Sequence, residues 1–105
     1  MPTVEFDGQT FITDKEGFID DLNNWNEAWV QYVKTAEGIT ELTEDHRHVL
    51  CFLQDYYKKN GASPRMGMLT RGTNFKLKYI YELFPSGPGR GACRMAGLPK
   101  PGGCV

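Results

Sequence analysis

The sequence predicts a mainly α-helical protein: a small helical bundle with an N-terminal β-hairpin and a mobile C-terminal arm. Apolar residues alternate with polar ones on both sides of Asp7-Gly8, a dipeptide typical of tight hairpin turns. Residues 43–60 carry apolar side chains at helical spacing. The last twenty-one residues include ten Gly or Pro, which disfavour long helices and paired strands. We therefore divide the chain into a helical body, residues 1–84, and a flexible arm, residues 85–105.

The body begins with the hairpin, which we place at residues 3–13. A two-stranded hairpin is marginal in water, so it must lie against the helices. Asp14 to Gly17 reads as a turn, and Phe18 and Ile19 are predicted to form a short helical piece with Leu22.

Two capped helices follow. Asn26 is a suitable N-cap for a helix that runs to about Glu37 and stops at Gly38. Thr43 caps the second helix, which ends at Asn60 and has the broadest apolar stripe, so we take it as the central core helix. The two large aromatics near the first helix, Trp25 and Trp29, are predicted core anchors.

Two shorter helices complete the body. Pro64 is predicted to begin a helix that ends near Gly72, and Asn74 to cap a last helix that Pro85 terminates. The apolar side of the last helix comprises Phe75, Leu77, Ile80, Tyr81 and Phe84. This pair resembles a helix-turn-helix, which leaves open a DNA-binding regulator that contacts phosphates through Arg65, Arg71, Lys76 and Lys78. Packed helix pairs are common, so nucleic acid is the less favoured partner.

The charge and the cysteine content indicate what kind of partner and which cellular compartment suit the protein. The net charge is −1, but the arm holds Arg90, Arg94 and Lys100 and no acid. We predict that these three cations contact an anionic partner site, although they also fit a merely solubilising role. The N-terminus has no signal-peptide pattern, and no apolar run is long enough to enter a membrane. Three reduced thiols suit the cytoplasm, where we place the protein.

Two cysteines of the arm are the predicted reactive residues. Cys93 and Cys104 can stand roughly 36 Å apart when the chain is extended, yet the Gly and Pro residues before Cys104 allow the chain to fold back. Closing this twelve-residue ring costs about 3 kcal/mol of chain entropy, small enough for a reversible bridge. We assign Cys104 as the mobile thiol that takes up a load and Cys93 as the anchored, resolving thiol. The alternative is a pair of incidental free thiols; Cys51 receives no role.

The sequence predicts no bound metal or cofactor. There is no Cys-x-x-Cys, and His46 and His48 are two residues apart on a helix, so they point to different sides. Gly87, Gly89 and Gly91 follow a helix and precede no strand, so we interpret them as a hinge rather than a phosphate loop.

The whole chain resembles the DsrC family of small sulfur-carrying proteins. The arm carries the specific part of the likeness: Cys93-Arg94-Met95-Ala96-Gly97-Leu98-Pro99-Lys100-Pro101-Gly102-Gly103-Cys104-Val105, preceded by Tyr81-Glu82-Leu83-Phe84-Pro85-Ser86-Gly87-Pro88. The body adds Asp14-Lys15-Glu16-Gly17-Phe18, Glu41-Leu42-Thr43-Glu44-Asp45-His46 and Phe52-Leu53-Gln54-Asp55-Tyr56-Tyr57.

This resemblance implies a co-substrate rather than an enzyme that turns over alone. The arm would enter the alpha and beta subunits of dissimilatory sulfite reductase and bring Cys104 beside the partner's sirohaem. Sulfur from sulfite would leave on Cys104, and Cys93 would join it in a trisulfide or disulfide. A membrane-bound, heterodisulfide-reductase-like complex would reduce the product and release sulfide.

A second branch of the family keeps an alternative open. TusE proteins relay persulfide sulfur toward tRNA thiolation and generally lack the upstream cysteine, so the presence of Cys93 favours the sulfite-reductase branch. The absence of an insertion before Phe75-Lys76-Leu77 favours a sulfate or sulfite reducer. Two residues depart from the family pattern: Gly102 replaces a threonine, and Gly67 stands where an arginine is common. Arg65 is the candidate substitute for any anion contact or arm docking by that arginine.

Overall fold

The computed structural model describes residues 2–99, which form a two-stranded hairpin and a set of packed helices. Lys100 and Cys104 lie outside the described residues. The mainly helical fold class with its N-terminal hairpin is confirmed. Within residues 2–99, none of the helices is both long and apolar enough to cross a membrane.

The hairpin pairs β1 (Thr3–Phe6) with β2 (Gln9–Ile12) in antiparallel register, Val4 opposite Phe11. Both turn residues, Asp7 and Gly8, have positive φ, as a tight turn of the favoured hairpin type requires. Phe11 is buried edge-on against the Trp29 ring, with 5.2 Å between ring centroids. The hairpin therefore lies against the helices, as its small size demands.

The connection between hairpin and helices differs from the sequence prediction. The Asp14 carboxylate accepts hydrogen bonds from the backbone N–H groups of Glu16 and Phe18, which confirms the turn. Ile19 then pairs with Thr13 in an isolated antiparallel bridge, so the predicted helical piece at Phe18 and Ile19 is wrong. Both apolar residues are buried, and a short 3-10 helix spans only Leu22–Asn24.

Helices α1 (Glu27–Glu37) and α2 (Glu44–Asn60) match the prediction in bounds and caps. Asn26 and Thr43 each accept a backbone hydrogen bond, and Gly38 and Gly61 end the helices in the left-handed conformation. The four most buried α2 residues, His46, Val49, Leu50 and Leu53, form one stripe, so α2 is the central helix. Of the two histidines, His46 is buried and His48 is exposed, on different sides of α2 as expected.

Helices α3 (Met66–Thr73) and α4 (Leu77–Leu83) show two departures from prediction. Asn74 ends α3 with φ 62° instead of starting α4, whose N-cap is Lys76. Asparagine suits both an N-cap and a left-handed C-cap, and here the end of α3 uses it. Tyr81 was predicted on the apolar side of α4 but is 44% exposed. The residues of this segment that pack into the core are Ile80, Leu83 and Phe84.

The first half of the predicted arm is packed into the body. Residues Pro88–Cys93 form a π-helix whose turn continues through Met95. Its small residues Gly89, Gly91 and Ala92 are buried, so the interpretation of Gly89 and Gly91 as a hinge is wrong. Gly91 is required by close packing, since a Cβ there would lie 2.8 Å from the Phe84 Cβ. The body therefore extends well past residue 84, and a moving arm stays a prediction only for residues beyond this packed segment.

Two glycines of α3 give a matched test of helix packing. A Cβ at Gly72 would lie 2.2 Å from Cε1 of Phe52 on α2, whereas one at Gly67 would meet only an Arg71 nitrogen at 4.0 Å. We expect Gly72→Ala to lower the free energy of unfolding by about 1–3 kcal/mol through overpacking. Gly67→Ala should raise it by about 0.5–1 kcal/mol through helix propensity. Urea denaturation measures both; equal effects of the two substitutions would contradict the close α2–α3 contact.

Candidate functional site

The resolving thiol predicted from sequence, Cys93, lies in the protein core. It is the last residue of the π-helix and is 3% exposed. Burial raises the pKa of the Cys93 thiol to about 11, and a hydrogen bond donated by the Ser63 side chain lowers it by a smaller amount. At neutral pH only about one Cys93 in ten thousand is therefore a thiolate, the form that reacts. Cys93 is therefore fixed in the core, and its role as the resolving thiol stays a prediction.

Immediately after Cys93 the chain reverses direction. The N–H of Gly97 donates to the carbonyl of Arg94 at 3.2 Å, and the N–H of Leu98 donates to the carbonyl of Cys93 at 3.1 Å. Gly97 has φ +82°, the left-handed conformation that glycine adopts most readily. This pair of bonds is the Schellman motif that commonly ends helices. The reversal brings the backbone of Leu98 back to the residue that carries the buried thiol.

Three side chains of the body hold the carbonyl groups at this helix end. The indole N–H of Trp29 donates to the Arg94 carbonyl, that of Trp25 to the Met95 carbonyl, and the Gln54 amide to the Ala96 carbonyl, each at 2.8 Å. The last carbonyls of a helix have no partner within the helix. Here every carbonyl from Cys93 to Ala96 accepts a hydrogen bond. We call this set of three donors and the reversal at Gly97 the C-terminal clamp.

The start of the packed segment is tied to α1 as well. The Glu37 carboxylate accepts hydrogen bonds from both the N–H and the hydroxyl of Ser86, at 3.0 and 2.7 Å. Residues 86–98 are thus fastened to the body at both ends, and the apolar side chains of Met95 and Leu98 fill the core between them.

The two predicted contact arginines within the described residues lie against the body. Arg90 is exposed and forms an ion pair with Glu16, its Nη2 3.7 Å from the carboxylate oxygen. Arg94 is half-buried, with its guanidinium beside Gly17 and 5.9 Å from the Tyr32 ring centroid. Arg90 is accessible to a partner and Arg94 only in part, so a partner contact by either stays a prediction. Lys100, the third candidate, is outside the described residues.

The remaining candidates are placed as follows. Cys51 is exposed on α2, and within residues 2–99 neither Cys51 nor Cys93 forms a disulfide. The cations proposed as phosphate contacts, Arg65, Arg71, Lys76 and Lys78, are all exposed. The structure brings Cys93 together with Ser63 and the clamp, while Cys104, the predicted carrier thiol, lies outside the described residues.

Sequence reasoning missed the clamp and Ser63. The run Ala96-Gly97-Leu98-Pro99 did carry a signal, since a glycine followed by an apolar residue and a proline is typical of a helix end. No sequence signal pairs Trp25, Trp29 or Gln54 with it, because the hydrogen-bonded residues are 70, 65 and 42 positions apart.

Comparison with known proteins identifies the family. The family model described as "DsrC like protein" matches residues 5–105. The "Sulfite reductase, dissimilatory-type subunit gamma" of Nitratidesulfovibrio vulgaris (strain Hildenborough) is 54% identical over 105 residues, the full length of both chains. The "Sulfurtransferase TusE" of Pectobacterium atrosepticum is 38% identical over 109 aligned residues, covering 97% of this chain and 99% of its own.

A solved structure supports the same family. A chain in the crystal structure of dissimilatory sulfite reductase I superimposes with a TM-score of 0.93 at 54% identity, covering 99% of this chain and 100% of that chain. The protein therefore belongs to the DsrC family.

Proposed function

We propose that this protein is the sulfur-carrying co-substrate, or gamma subunit, of dissimilatory sulfite reductase. The observation that carries the proposal is the placement of Cys93: a buried thiol, hydrogen-bonded through its backbone to Leu98, from which the segment bearing Cys104 begins. The full-length likeness to a sulfite reductase gamma subunit supports the same role. In this role the chain does not turn over alone but acts with the alpha and beta subunits of the reductase, in the cytoplasm.

The two thiols have different tasks because their positions differ. Cys104 lies six residues beyond Leu98, so it reaches roughly 20 Å from the packed body, far enough to enter a partner's active site. Cys93 is buried in this chain and cannot leave it without unpacking the helix end. Cys104 therefore takes the sulfur atom at the partner's sirohaem, and Cys93 receives the loaded segment when it returns.

The sulfur chemistry balances with electrons from two sources. Sulfite, two thiols, four protons and two electrons from the reductase give a trisulfide between Cys93 and Cys104 and three water molecules. Sulfite sulfur gains four electrons in this step, two from the reductase and two from the thiols. Four electrons and four protons from a membrane-bound, heterodisulfide-reductase-like complex then regenerate both thiols and release hydrogen sulfide.

A sulfur relay toward tRNA thiolation is the second candidate, favoured by the 38% identity to a TusE sulfurtransferase over nearly the whole chain. Such a relay passes one persulfide sulfur from Cys104 to the next protein and needs no second thiol. Transfer to a tRNA-modifying enzyme that proceeds equally well with Cys93→Ser would favour this function over the first.

Substitution of each thiol separates the two tasks. With reductase, sulfite and reductant present, Cys104→Ser should gain no sulfur, because the thiol that reaches the partner is gone. Cys93→Ser should still gain one sulfur atom, of about 32 Da by the mass of sulfur, but form no trisulfide. Intact-mass measurement after turnover reads out both, and Cys51→Ser is the control that should behave like the unsubstituted chain. A loaded Cys104→Ser protein would exclude the assignment.

The burial of Cys93 makes a second prediction, on reactivity. At pH 8 a thiol of pKa about 11 is roughly one thousandth ionised, against about one tenth for an ordinary thiol of pKa 9. In the Cys51→Ser/Cys104→Ser protein, we expect iodoacetamide to modify Cys93 at least about 100-fold more slowly in the folded protein than in the same protein unfolded in urea at the same pH. Comparable rates, followed by mass spectrometry, would contradict a buried Cys93.

The same shift affects stability in alkaline solution. Because the pKa of Cys93 is higher in the folded protein than in the unfolded chain, its contribution to folding is complete below about pH 9 and is lost as the pH rises toward about 11. Between these values the Cys51→Ser/Cys104→Ser protein should lose up to roughly 3 kcal/mol more unfolding free energy than the same protein with Cys93→Ala. Urea denaturation at a series of pH values measures this; parallel curves for the two proteins would rule out the shift.

A further inference from the structure

Cys93 shares its burial with the residues that follow it in the C-terminal clamp. It belongs to the same apolar cluster as Met95, Ala96 and Leu98, and these three side chains are fully buried. The N–H of Leu98 also donates to the carbonyl of Cys93, which fixes the end of the reversal to the residue that carries the thiol. Because Cys93 is only 3% exposed, a reagent reaches its sulfur only after part of this packing has opened.

The stretch from Arg94 to Leu98 is the part of this packing that can open at the lowest cost. It consists of the last helical turn and the reversal, and helix ends open locally more readily than helix interiors. One side of the reversal borders an open groove that is lined in part by Tyr57 and Pro99. The stretch can therefore separate from the body into free space while α1 and α2 stay folded.

Three hydrogen bonds from the body oppose this opening. The donors, Trp25, Trp29 and Gln54, belong to the segment before α1, to α1 and to α2, so the stretch is held by more than one element. In the closed state, removal of one donor leaves a buried carbonyl without a partner, whereas in the open state that carbonyl binds water. Loss of a single donor should therefore favour opening roughly tenfold.

Close packing of Gly97 makes the reversal part of the same contact. A Cβ on Gly97 would lie 2.6 Å from Cδ1 of the Trp25 ring, and the backbone there has φ +82°. A side chain at position 97 would have to displace the ring whose N–H holds the Met95 carbonyl, or to abandon the left-handed turn. The reversal and the hydrogen bond of Trp25 therefore depend on each other.

We propose that Trp25, Gln54 and Gly97 are positioning residues that control access to Cys93: residues 94–98 act as a gate over the buried thiol, and the clamp sets the fraction of molecules in which this gate is open. The thiol becomes accessible by local opening, with the rest of the fold intact. Its use in sulfur transfer rests on the proposed function, whereas its accessibility is a property of the described part of this chain and is measured without a partner.

The test follows access to the thiol by its modification with iodoacetamide. In the Cys51→Ser/Cys104→Ser protein Cys93 is the only thiol, so intact mass gives its rate of modification directly. The rate is measured at pH 8 in several urea concentrations below the unfolding transition. A local opening exposes little surface and depends weakly on urea, whereas global unfolding depends on it with the full slope of the equilibrium transition.

In this protein we expect Gln54→Met and Trp25→Phe each to raise the modification rate of Cys93 about tenfold, with the weak dependence on urea. Trp25→Phe keeps an aromatic ring but removes the N–H donor. Gly97→Ala should raise the rate at least as much, because it disturbs the turn and the Trp25 ring together.

Three control variants in the same protein separate the gate from other routes to the thiol. Gly72→Ala destabilises the α2–α3 contact, so it reports access through global unfolding. Gly61→Ala strains a left-handed position, φ +71°, at the start of the loop that carries Ser63, the other neighbour of Cys93. Gln31→Met removes an exposed glutamine outside the clamp. All three should leave the rate in dilute urea unchanged.

Near-ultraviolet circular dichroism checks that each variant is folded, and if Gly97→Ala unfolds, Gln54→Met and Trp25→Phe decide. Unchanged rates in the folded clamp variants would overturn the gate. An equal rise in Gly61→Ala or Gly72→Ala would also overturn it, as would a rate that follows urea with the full unfolding slope.

Sulfur loading by the reductase tests the proposed function separately. Faster modification of Cys93 in the clamp variants, together with no sulfur loading of the unsubstituted chain, would keep the positioning role and remove the sulfite-reductase assignment. Normal sulfur loading with unchanged modification rates would do the reverse.

Discussion

The structure depends on the hydrogen bonds that body side chains donate to the end of the last helix. Six of the fourteen residues from 85 to 98 are glycine or proline, so this segment has low helical propensity and few apolar atoms with which to stabilise itself. It becomes part of the core because Trp25, Trp29 and Gln54 satisfy its carbonyl groups, while Met95 and Leu98 fill apolar space. Burial of an unpaired carbonyl costs about 1–3 kcal/mol, so the packing of the segment and its hydrogen bonds are inseparable.

The same packing sets the chemical environment of Cys93. Its thiol is surrounded by core, and desolvation raises the thiol pKa and so disfavours the ionised form. A thiol in this environment reacts slowly with thiols in solution, which fits the resolving role that we propose for Cys93.

The sequence predicts the parts of this fold that are decided locally. The caps at Asn26 and Thr43 and the glycine stop at Gly38 involve residues within one helical turn, and all three agree with the structure. The prediction that Asn74 starts a helix was wrong, because asparagine suits both the start and the end of a helix. The predicted arm boundary at residue 85 failed for a different reason: glycine and proline content reports the intrinsic preference of a backbone, whereas partners 42 to 70 residues away decide whether that backbone packs. Cys93 and Cys104 were proposed as reactive residues from spacing and family likeness, whereas the burial of Cys93 is a tertiary property.

The glycines of the last segment therefore serve close packing more than motion. Gly91 admits the backbone to within contact of Phe84, and Gly97 admits it to the face of Trp25, so neither tolerates a side chain. A hinge needs free space around it, and these positions have none. Any movement of the chain end that the proposed function requires therefore cannot pivot at Gly91 or Gly97.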